Sequence, residues 1–307
     1  MATFTTFSES ALERYLVMFN MGELAACEPI QAGIENSNYY VTLKRGDLVL
    51  EFVLTITENL SFDEVGFFND LLTLLAKAGL PVPMPERTLD GMYSTIFCGK
   101  PTWLFPRLPG HHPEVATEAQ CKAIGVALAK MHEAGARARY HRANPYDAQW
   151  LGETFSNLRN RLGKEDQALF ERILCEYEEL ADSDDLPKGI IHGDLFRDNV
   201  LFTDDRLTGI IDFYHACDDF LVQDLAICIN DWCTTSTGEL DSSRFDAMVE
   251  GYESIRPLTS TEQSALPKFR RAAAMRFVLT RFLSGDESGH LKDPDEFLRI
   301  ARGASSE

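Results

Sequence analysis

The feature that most constrains this chain is a polar stretch set between two apolar runs. Residues 190–202 read IIHGDLFRDNVLF, so that His192, Asp194 and Asn199 separate two segments whose residue types are those of buried strands. Another apolar run, GIIDFY, follows shortly afterwards and contains Asp212 at its end. A plain solvated loop between strands has no need for two carboxylates and an amide in this arrangement. The pattern therefore predicts a chemical site at the ends of short strands.

The spacing of these residues fits the chemistry of phosphoryl transfer. His192, Asp194 and Asn199 match H-x-D-x-x-x-x-N, in which the carboxylate meets the attacking hydroxyl and the amide oxygen meets a Mg²⁺ ion that bridges the phosphates. A second carboxylate has to complete the metal site, and Asp212 lies 18 residues after Asp194. We therefore predict Asp194, Asn199 and Asp212 as the catalytic residues, with Asn199 and Asp212 as the metal ligands.

Composition restricts the partners of this site. The 307 residues include 29 basic and 48 acidic side chains, and the resulting charge of −19 would repel a nucleic-acid backbone. No window approaches the roughly 18 consecutive apolar residues of a membrane helix, and the first residues lack the basic and apolar regions of a secretion signal. The seven cysteines have no metal-site spacing, which favours reduced thiols. We expect a cytoplasmic protein with a small-molecule substrate and no nucleic-acid or membrane partner.

Hydrophobic periodicity divides the chain into two parts. Up to residue 106, two β-rich hairpins turn near Gly46 and Gly99, and a helical segment separates them. This order predicts a small antiparallel sheet with one helix inserted after its third strand. From Pro113 onward, apolar residues recur mostly at helical spacing. We predict an α+β fold with a first domain of residues 1–106 and a larger, mostly helical domain of residues 107–307.

Several stretches of the sequence carry a resemblance to a known family. HGDLFRDNVLF, followed by GIIDFYHACDDFLVQDLAICINDWC, resembles the aminoglycoside phosphotransferase/choline kinase superfamily of protein-kinase-like small-molecule kinases. AGIENSNYYV, LLAKAGLPVPMP and RLPG are similar to stretches of the bacterial homoserine kinases of that type. The resemblance covers nearly the whole chain and implies a two-lobed, protein-kinase-like fold. It also implies ATP-dependent phosphorylation of the homoserine hydroxyl to O-phosphohomoserine, a step of threonine biosynthesis.

The resemblance further implies which residues bind the cofactors, ATP and Mg²⁺. Asp194 would be the catalytic base, Asn199 and Asp212 would hold Mg²⁺, and His192 would brace the loop. Adenine would meet a hinge between the lobes, and the loop of the first hairpin would cover the phosphates. The implied nucleotide-binding residues are Gly33, Asn36, Ser37, Asn38, Phe105, Arg107 and Leu108.

The phosphate-binding region departs from the general kinase pattern in two respects. Its loop has one glycine, Gly33, so we expect side-chain amides and hydroxyls to replace backbone N–H groups. In the third strand, LVLEFV places Glu51 where many kinases have a lysine, and a glutamate that faced phosphates would be repelled. We expect Glu51 to turn outward or to pair with a basic residue such as Lys44.

A homoserine site needs acidic or carbonyl groups for the ammonium and a cationic fork for the carboxylate. Arg197 and either Arg276 or Arg281 are candidates for the carboxylate. Arg276 and Arg281 are five residues apart and share no helical stripe, so one of them is expected to form a structural ion pair. Asp224 is expected either to contact substrate or to brace the catalytic loop. The predicted substrate residues are Arg197, Tyr214, Asp231, Trp232 and Arg276.

Three alternatives stay open at this point. The acceptor could be another small amino alcohol, such as choline, ethanolamine or an aminoglycoside, because such kinases share the phosphoryl-transfer half. Glu51 and the glycine-poor loop also fit a kinase-like binding protein without turnover. A metal-dependent hydrolase is compatible with the residue types but has no need for Asn199 at its offset. The sequence leaves the oligomeric state open.

Overall fold

The first part of the chain is an antiparallel sheet with a helix on each side. The computed structural model describes residues 5–31, 36–181, 183–288 and 293–304, with the side chains of 285–288 excepted. Helix α1 (Glu9–Leu16) leads into the strands β1 (Glu23–Pro29), β2 (Asn36–Arg45), β3 (Leu48–Thr57), β4 (Thr95–Phe97) and β5 (Lys100–Pro106). These strands form one sheet with the order β1-β2-β3-β5-β4, and α2 (Val65–Lys77) is inserted after β3. The predicted order of elements is thereby confirmed.

The register of the sheet decides which side chains face which way. Asn38 pairs with Thr55 and Tyr40 pairs with Val53 across β2 and β3, so that these four side chains share one face. The alternating residues on the opposite face form a separate apolar cluster with α1, in which Leu54 is fully buried. The first face is therefore left to meet the remainder of the chain.

The second part of the chain is mostly helical and contains two antiparallel sheets of two strands each. β6 (Lys188–Ile191) pairs with β9 (Cys217–Phe220), and β7 (Val200–Thr203) forms a hairpin with β8 (Arg206–Ile210). The polar loop predicted from the sequence connects β6 to β7. The elements are α3 (Glu118–Gly135), α4 (Ala148–Leu158), α5 (Lys164–Ala181), β6 (Lys188–Ile191), β7 (Val200–Thr203), β8 (Arg206–Ile210), β9 (Cys217–Phe220), α6 (Leu221–Trp232), α7 (Ser242–Glu253), α8 (Ser260–Ser288) and α9 (Pro294–Gly303).

Two glycines let α3 and α7 approach each other closely. A Cβ atom on Gly125 of α3 would lie 2.1 Å from the carbonyl oxygen of Met248, and one on Gly251 of α7 would lie 2.2 Å from that of Lys122. Side chains have no room at either position, because such contacts are far shorter than van der Waals distances. The backbones of the two helices are therefore in direct contact on both sides of their crossing.

A large apolar core joins the helices to the inner side of the sheet. It includes α2 residues such as Phe68 and Leu71, the strand residue Trp103, and buried residues of α3, α6 and α8. The seven cysteines are free thiols. Among the described segments, no helix combines the length and apolar character needed to cross a membrane.

Candidate active site

A cavity of about 520 Å³ lies between the five-stranded sheet and the ends of the short strands of the second part. From the sheet, Asn38 and Thr55 line it, and from the opposite side Asn199 and Asp212 line it. Its remaining wall is largely apolar and includes the end of β5. Such a cleft, with an apolar wall and a few converging polar groups, is typical of a small-molecule binding site.

Two of the predicted catalytic residues are joined directly by hydrogen bonds. The Nδ2 amide of Asn199 donates to the carbonyl oxygen of Asp194 at 2.8 Å and to its carboxylate Oδ2 at 2.9 Å. Because the amide nitrogen of Asn199 is committed to Asp194, its amide oxygen points to the other side and is oriented for a cation. Asn199 is buried and Asp194 is half-buried.

Asp224 of α6 anchors the loop that carries Asp194. Its fully buried carboxylate accepts hydrogen bonds from the backbone N–H groups of His192 at 2.7 Å and Gly193 at 2.9 Å. His132 lies 3.1 Å from the same carboxylate. Burial would raise the pKa of Asp224, but the hydrogen bond and charge of His132 hold it below its usual value. Of the two roles considered for Asp224, the structure therefore gives it the bracing one.

His192 is a brace within the same loop. Its ring is fully buried, and Nε2 lies 3.1 Å from the carbonyl oxygen of Ile211, in the segment that leads to Asp212. Burial lowers the pKa of His192 to about 4, so the ring is neutral at pH 7. The neighbouring Gly193 has a φ of +76°, and a Cβ there would lie 2.9 Å from the carbonyl oxygen of His215. The loop therefore packs tightly against the segment after Asp212.

Asp212 follows β8 and is held beside Asn199. The backbone N–H of Ile211 donates to the carbonyl oxygen of Asn199 at 2.9 Å, so the two loops are joined where both line the cavity. Asp212 itself is left-handed, with φ and ψ of 62°, a conformation that is uncommon for residues other than glycine and clusters at functional sites.

The pair Asn199 and Asp212 fits a Mg²⁺ ion by its chemistry. Both supply oxygen donors, the ligand type that Mg²⁺ prefers. Within the described residues, no group of three or more histidine, cysteine, aspartate or glutamate side chains is arranged to hold a metal. A Mg²⁺ ion needs no such group, because it is commonly held by one or two carboxylates together with phosphate oxygens and water.

The residues predicted to bind nucleotide fall into three groups. Asn38, Phe105, Arg107 and Leu108 line the cavity. Asn36 and Ser37 are buried in the β2–β3 region instead. Gly33 lies outside the described residues.

Ser37 and Asn36 are both held by groups of the sheet and the N-terminal segment. The hydroxyl of Ser37 accepts from the N–H of Thr5 at 2.9 Å and donates to Glu58 at 2.5 Å. Asn36 accepts from the N–H of Glu58 at 3.3 Å through its amide oxygen. Both side chains are thus used in supporting the end of the hairpin, where Asn38 is the residue that reaches the cavity.

Glu51 turns outward, as expected, but its partner is not the suggested Lys44. Its carboxylate lies 2.9 Å from Nη1 of Arg107, and both side chains are about half exposed. Strand alternation places Val53 and Thr55 on the same face as Glu51, and these two line the cavity whereas Glu51 does not. The strand-three residue that faces the site is therefore Thr55, which hydrogen bonds to Asn38 at 2.7 Å.

The predicted substrate residues do not gather at one place. Tyr214 lines the cavity next to Asp212, and its hydroxyl interacts with Thr55. Arg197 and Asp231 pair with each other, with distances of 3.1 and 3.2 Å. Trp232 is fully buried and donates its indole N–H to the carbonyl oxygen of Leu195 at 2.9 Å. Asp231 and Trp232 thus contact the loop of residues 192–199 from α6, away from the cavity lining.

Arg276 of α8 is a buried cation beside the loop of residues 192–199. Its Nη1 donates to the carbonyl oxygen of Gly193 at 2.6 Å, and its guanidinium lies over the rings of Tyr146 and Phe277 at 4.1 and 4.6 Å. The buried Nε–H of Arg276 has no hydrogen-bond acceptor among the described residues. Burying an N–H of a charged group without an acceptor is unfavourable, so this position is suited to an anionic ligand group.

Two further residues near the site were not predicted from the sequence. Arg142, between α3 and α4, hydrogen bonds to the segment that follows Asp212. The Tyr146 ring lies 4.1 Å from the Arg276 guanidinium and 5.5 Å from the His215 ring. Both belong to YHRANPY, a loop without periodicity or a known motif, so no signal in one sequence could have identified them.

Comparison with known proteins agrees with this geometry. A model of the phosphotransferase enzyme family matches residues 26–258. The chain is 39% identical to a homoserine kinase of Methylobacillus flagellatus, over 98% of this chain and 95% of that one. It is 38% identical to a homoserine kinase of Pseudomonas aeruginosa, over 98% and 96%.

The solved structures that match share the fold at low identity. An amicoumacin kinase, solved in complex with AMP-PNP, Ca²⁺ and Ami, matches with a TM-score of 0.72 and 17% identity, over 98% of this chain and 93% of that one. At this identity the match speaks for the fold. The prediction of a kinase-like α+β fold, with an antiparallel sheet followed by a mostly helical part, is confirmed.

Proposed function

This chain belongs to the phosphotransferase enzyme family, and from that premise we propose that it is an ATP-dependent kinase that phosphorylates the side-chain hydroxyl of L-homoserine. The observation that carries the proposal is the pair of Asn199 and Asp212 in the cavity wall, with the Asp194 carboxylate hydrogen-bonded to Asn199 next to it. Full-length relatives named homoserine kinase support the choice of acceptor. Residues 1–106 would bind the nucleotide, and residues 107–307 would carry catalysis and substrate binding in the cytoplasm.

The end of β5 suits the adenine of ATP. The N–H of Arg107 donates to the carbonyl oxygen of Glu51 in β3. The carbonyl oxygen of Leu104 points to the other edge of the strand and accepts from the N–H of Glu86. Hydrogen-bonding groups alternate in direction along a strand, so the carbonyl of Pro106 and the N–H of Leu108 would point to the edge away from β3. Both residues line the cavity, and together they would offer adenine one acceptor and one donor.

The polar end of the cavity suits the phosphates and the reacting hydroxyl. Asn199 and Asp212 would hold Mg²⁺, which neutralises the charge of the phosphates when it is bound. Asp194 would orient the attacking hydroxyl and accept its proton. Asn199 holds the Asp194 carboxylate by one hydrogen bond and its backbone carbonyl by another, so the base and this metal ligand keep a constant relation to each other.

Arg276 would receive the carboxylate of homoserine. Three properties support this assignment: it is buried, it contacts the residue before Asp194, and its Nε–H has no acceptor among the described residues. Arg281, five residues further along α8, already donates to the Asp293 carbonyl at 2.6 Å and to Glu296 at 2.8 Å. Of these two arginines, Arg276 is therefore the one with a donor left for a ligand.

The test of the acceptor is ADP release with Mg·ATP and a panel of L-homoserine, 3-aminopropan-1-ol, choline, ethanolamine and an aminoglycoside. 3-Aminopropan-1-ol is homoserine without its carboxylate. We expect turnover with homoserine, formation of O-phosphohomoserine by ³¹P NMR, and weak use of 3-aminopropan-1-ol. Turnover of another amino alcohol without any of homoserine would refute the proposed substrate.

Arg276→Gln tests the assigned carboxylate contact. We expect it to lower kcat/KM for homoserine by about 10- to 100-fold, the effect of losing a charged hydrogen-bonded pair. Its effect on 3-aminopropan-1-ol should be much smaller, since that compound has no carboxylate. Arg281→Gln is the matched control and should leave the ratio of the two substrates unchanged. Equal losses on both compounds in Arg276→Gln would contradict the assignment.

A further inference from the structure

Arg142 connects the sheet part of the molecule to the segment that carries Asp212. Its Nε donates to the carboxylate of Glu64 at 2.7 Å, immediately before α2. Its Nη1 donates to the carbonyl oxygens of Tyr214 and Ala216, at 3.1 Å each. One side chain therefore joins Glu64 to two carbonyl groups of the segment that follows Asp212.

The Arg142–Glu64 pair is charged and partly shielded from water. The side chains are 19% and 32% exposed. Burial alone would raise the pKa of Glu64, but the hydrogen bonds from Arg142 and Ser61 outweigh it and hold the pKa below its usual value. Glu64 is consequently ionised at neutral pH, and its bond to the Arg142 guanidinium is charge-assisted.

The backbone around Arg142 strengthens the same connection. The N–H of Arg142 donates to the Asp218 carboxylate at 2.8 Å, and its carbonyl oxygen accepts from the Asp218 N–H at 2.7 Å. On the other side, the N–H of Arg139 donates to Asp70 of α2 at 2.8 Å. Residues 139–142 are thus bound to α2 at one end and to the segment after Asp212 at the other.

Aromatic contacts run parallel to these hydrogen bonds. The Arg142 guanidinium lies over Phe68 of α2 at 5.6 Å, and the Phe68 ring lies 5.7 Å from that of Tyr214. Tyr214 lines the cavity two residues after Asp212. A shift of α2 relative to the second part of the chain would therefore move the neighbours of Asp212.

The connection through Arg142 matters more because this protein lacks a lysine at the strand-three position that faces the cavity. In protein kinases a strand-three lysine pairs with a helix glutamate, and both must be in place for activity. Here Thr55 faces the cavity, and none of the described residues that line it is a lysine. Glu64, at the start of the helix, is paired with Arg142 of the other part of the molecule instead.

We propose that Arg142 is a positioning residue that sets Asp212 for the metal-bound nucleotide by fixing the segment 212–218 to Glu64 and α2. The proposal rests on the function proposed above. It predicts that Mg²⁺ strengthens nucleotide binding in the intact protein and that this gain depends on the Arg142–Glu64 pair. Nucleotide binding without metal uses the hinge and the apolar wall and does not depend on the pair.

The experiment measures nucleotide affinity by calorimetry with and without Mg²⁺, together with kcat and KM. For Arg142→Gln we expect the affinity gain from Mg²⁺ to fall about tenfold and the KM for Mg·ATP to rise by a similar factor, the size of a lost partly buried charged pair. Metal-free affinity should stay within about twofold. Arg142→Lys keeps the charge but cannot bridge both partners, so its losses should be intermediate.

Two further variants separate positioning from general stability. Glu64→Gln should reproduce part of the loss. The double variant should be no worse than Arg142→Gln, because both changes remove the same connection between Arg142 and Glu64. Arg139→Ala is the matched control, since its side chain is exposed and alanine keeps the N–H that donates to Asp70. Thermal unfolding of each variant shows whether it is folded.

The proposal is overturned if folded Arg142→Gln binds nucleotide with the same Mg²⁺ gain as the unmodified protein, or if the Glu64 and Arg142 effects multiply as independent ones. It fails separately from the proposed function. Loss of the Mg²⁺ gain in a protein that does not use homoserine would refute only the substrate. Homoserine turnover with an unchanged Mg²⁺ gain in Arg142→Gln would refute only the positioning role.

Discussion

The two walls of the cleft are held in different ways. One wall, the loop wall, is the loop of residues 192–199, whose backbone is fixed by side chains of α6 and α8, namely Asp224, Asp231, Trp232 and Arg276. The other, the sheet wall, consists of the residues of β2 and β3 that face the cavity. These are held mainly by the strand ladder, with a hydrogen bond between Thr55 and Asn38. The side chains that would perform chemistry thus lie on the wall with the denser anchoring.

This difference separates the requirements of chemistry from those of nucleotide binding. A base and metal ligands act best when their geometry is set before the reactants arrive, which calls for supporting side chains with fixed positions. A nucleotide can be bound by a surface that adjusts, because its adenine and phosphates offer many contacts. We therefore expect substitutions on the loop wall to change kcat or stability, and those on the sheet wall to change KM.

The largest effect is expected at Asp194. Asp194→Ala should lower kcat by about 10²- to 10⁴-fold, because it removes the group that we propose accepts the hydroxyl proton. Nucleotide affinity should remain within about twofold, since Asp194 is not among the cavity-lining residues. A steady-state assay of ADP release measures kcat, and calorimetry measures the nucleotide affinity. An equal loss of kcat in Asn38→Ala would remove the distinction between the walls.

The next effect concerns the anchor of the loop wall. Asp224→Ala leaves the N–H groups of His192 and Gly193 without their acceptor, and it should lower the free energy of unfolding by about 3–5 kcal/mol. Asp224→Asn keeps one accepting oxygen and should lose less. Urea unfolding followed by circular dichroism measures both. The same small loss in the two variants would show that the loop is held by its other contacts.

An effect of intermediate size is expected in the pH dependence of stability, through His192 and Asp219. Folding holds His192 at a pKa of about 4, below its ordinary 6.5, so stability from this ring is lost as pH falls from about 6.5 to 4. Burial acts oppositely on Asp219, whose pKa rises from 3.8 to about 6, so folding gains a proton and stability as pH falls through 6. The two effects offset each other in the unmodified protein.

Asp219→Asn exposes the His192 contribution. Between pH 6 and 4, its free energy of unfolding should fall more steeply than that of the unmodified protein, by about 1.4 kcal/mol per pH unit for one proton. Chemical denaturation at a series of pH values measures the two slopes. Parallel curves would mean that Asp219 does not keep a raised pKa in the folded protein.

The smallest effect is expected at Glu51. Because Glu51 is about half exposed and its ion pair with Arg107 lies at the surface, Glu51→Gln should change the free energy of unfolding by less than about 1 kcal/mol. The KM for ATP should change by less than about twofold. Thr55→Val, on the same strand face but inside the cavity, should raise that KM more. A larger effect from Glu51 than from Thr55 would reverse the assignment of the strand residue that faces the nucleotide.

Sequence patterns located the loop wall better than its supports. The spacing of Asp194, Asn199 and Asp212 reflects chemistry within one short stretch, so the sequence predicted that they would lie together. Strand alternation places Glu51 and Thr55 on one face but cannot tell where the cleft ends along the strand. The Arg197–Asp231 pair could not be foreseen either, because both residues have the types that bind a substrate.

The contacts of Arg142, in the loop between α3 and α4, could not be predicted from a pattern in one sequence. Arg142 acts through carbonyl oxygens and a carboxylate that lie about 70 or more positions away in the chain. Such contacts are set by how α2 packs on the second part of the molecule. Helix and strand periodicities describe each element by itself and contain no information about that packing.

The close crossing of α3 and α7 restricts which substitutions this protein can tolerate at Gly125 and Gly251. Gly125 lies two turns before His132 in α3, and Gly251 is next to Tyr252 in α7, whose hydroxyl lies 2.8 Å from His132. A single added methyl group at either glycine would push the helices apart and so lengthen the bridge from Tyr252 through His132 to Asp224. Chemically mild changes far from the cleft would then be felt as lost turnover, and selection on activity would preserve two small residues that never meet a ligand.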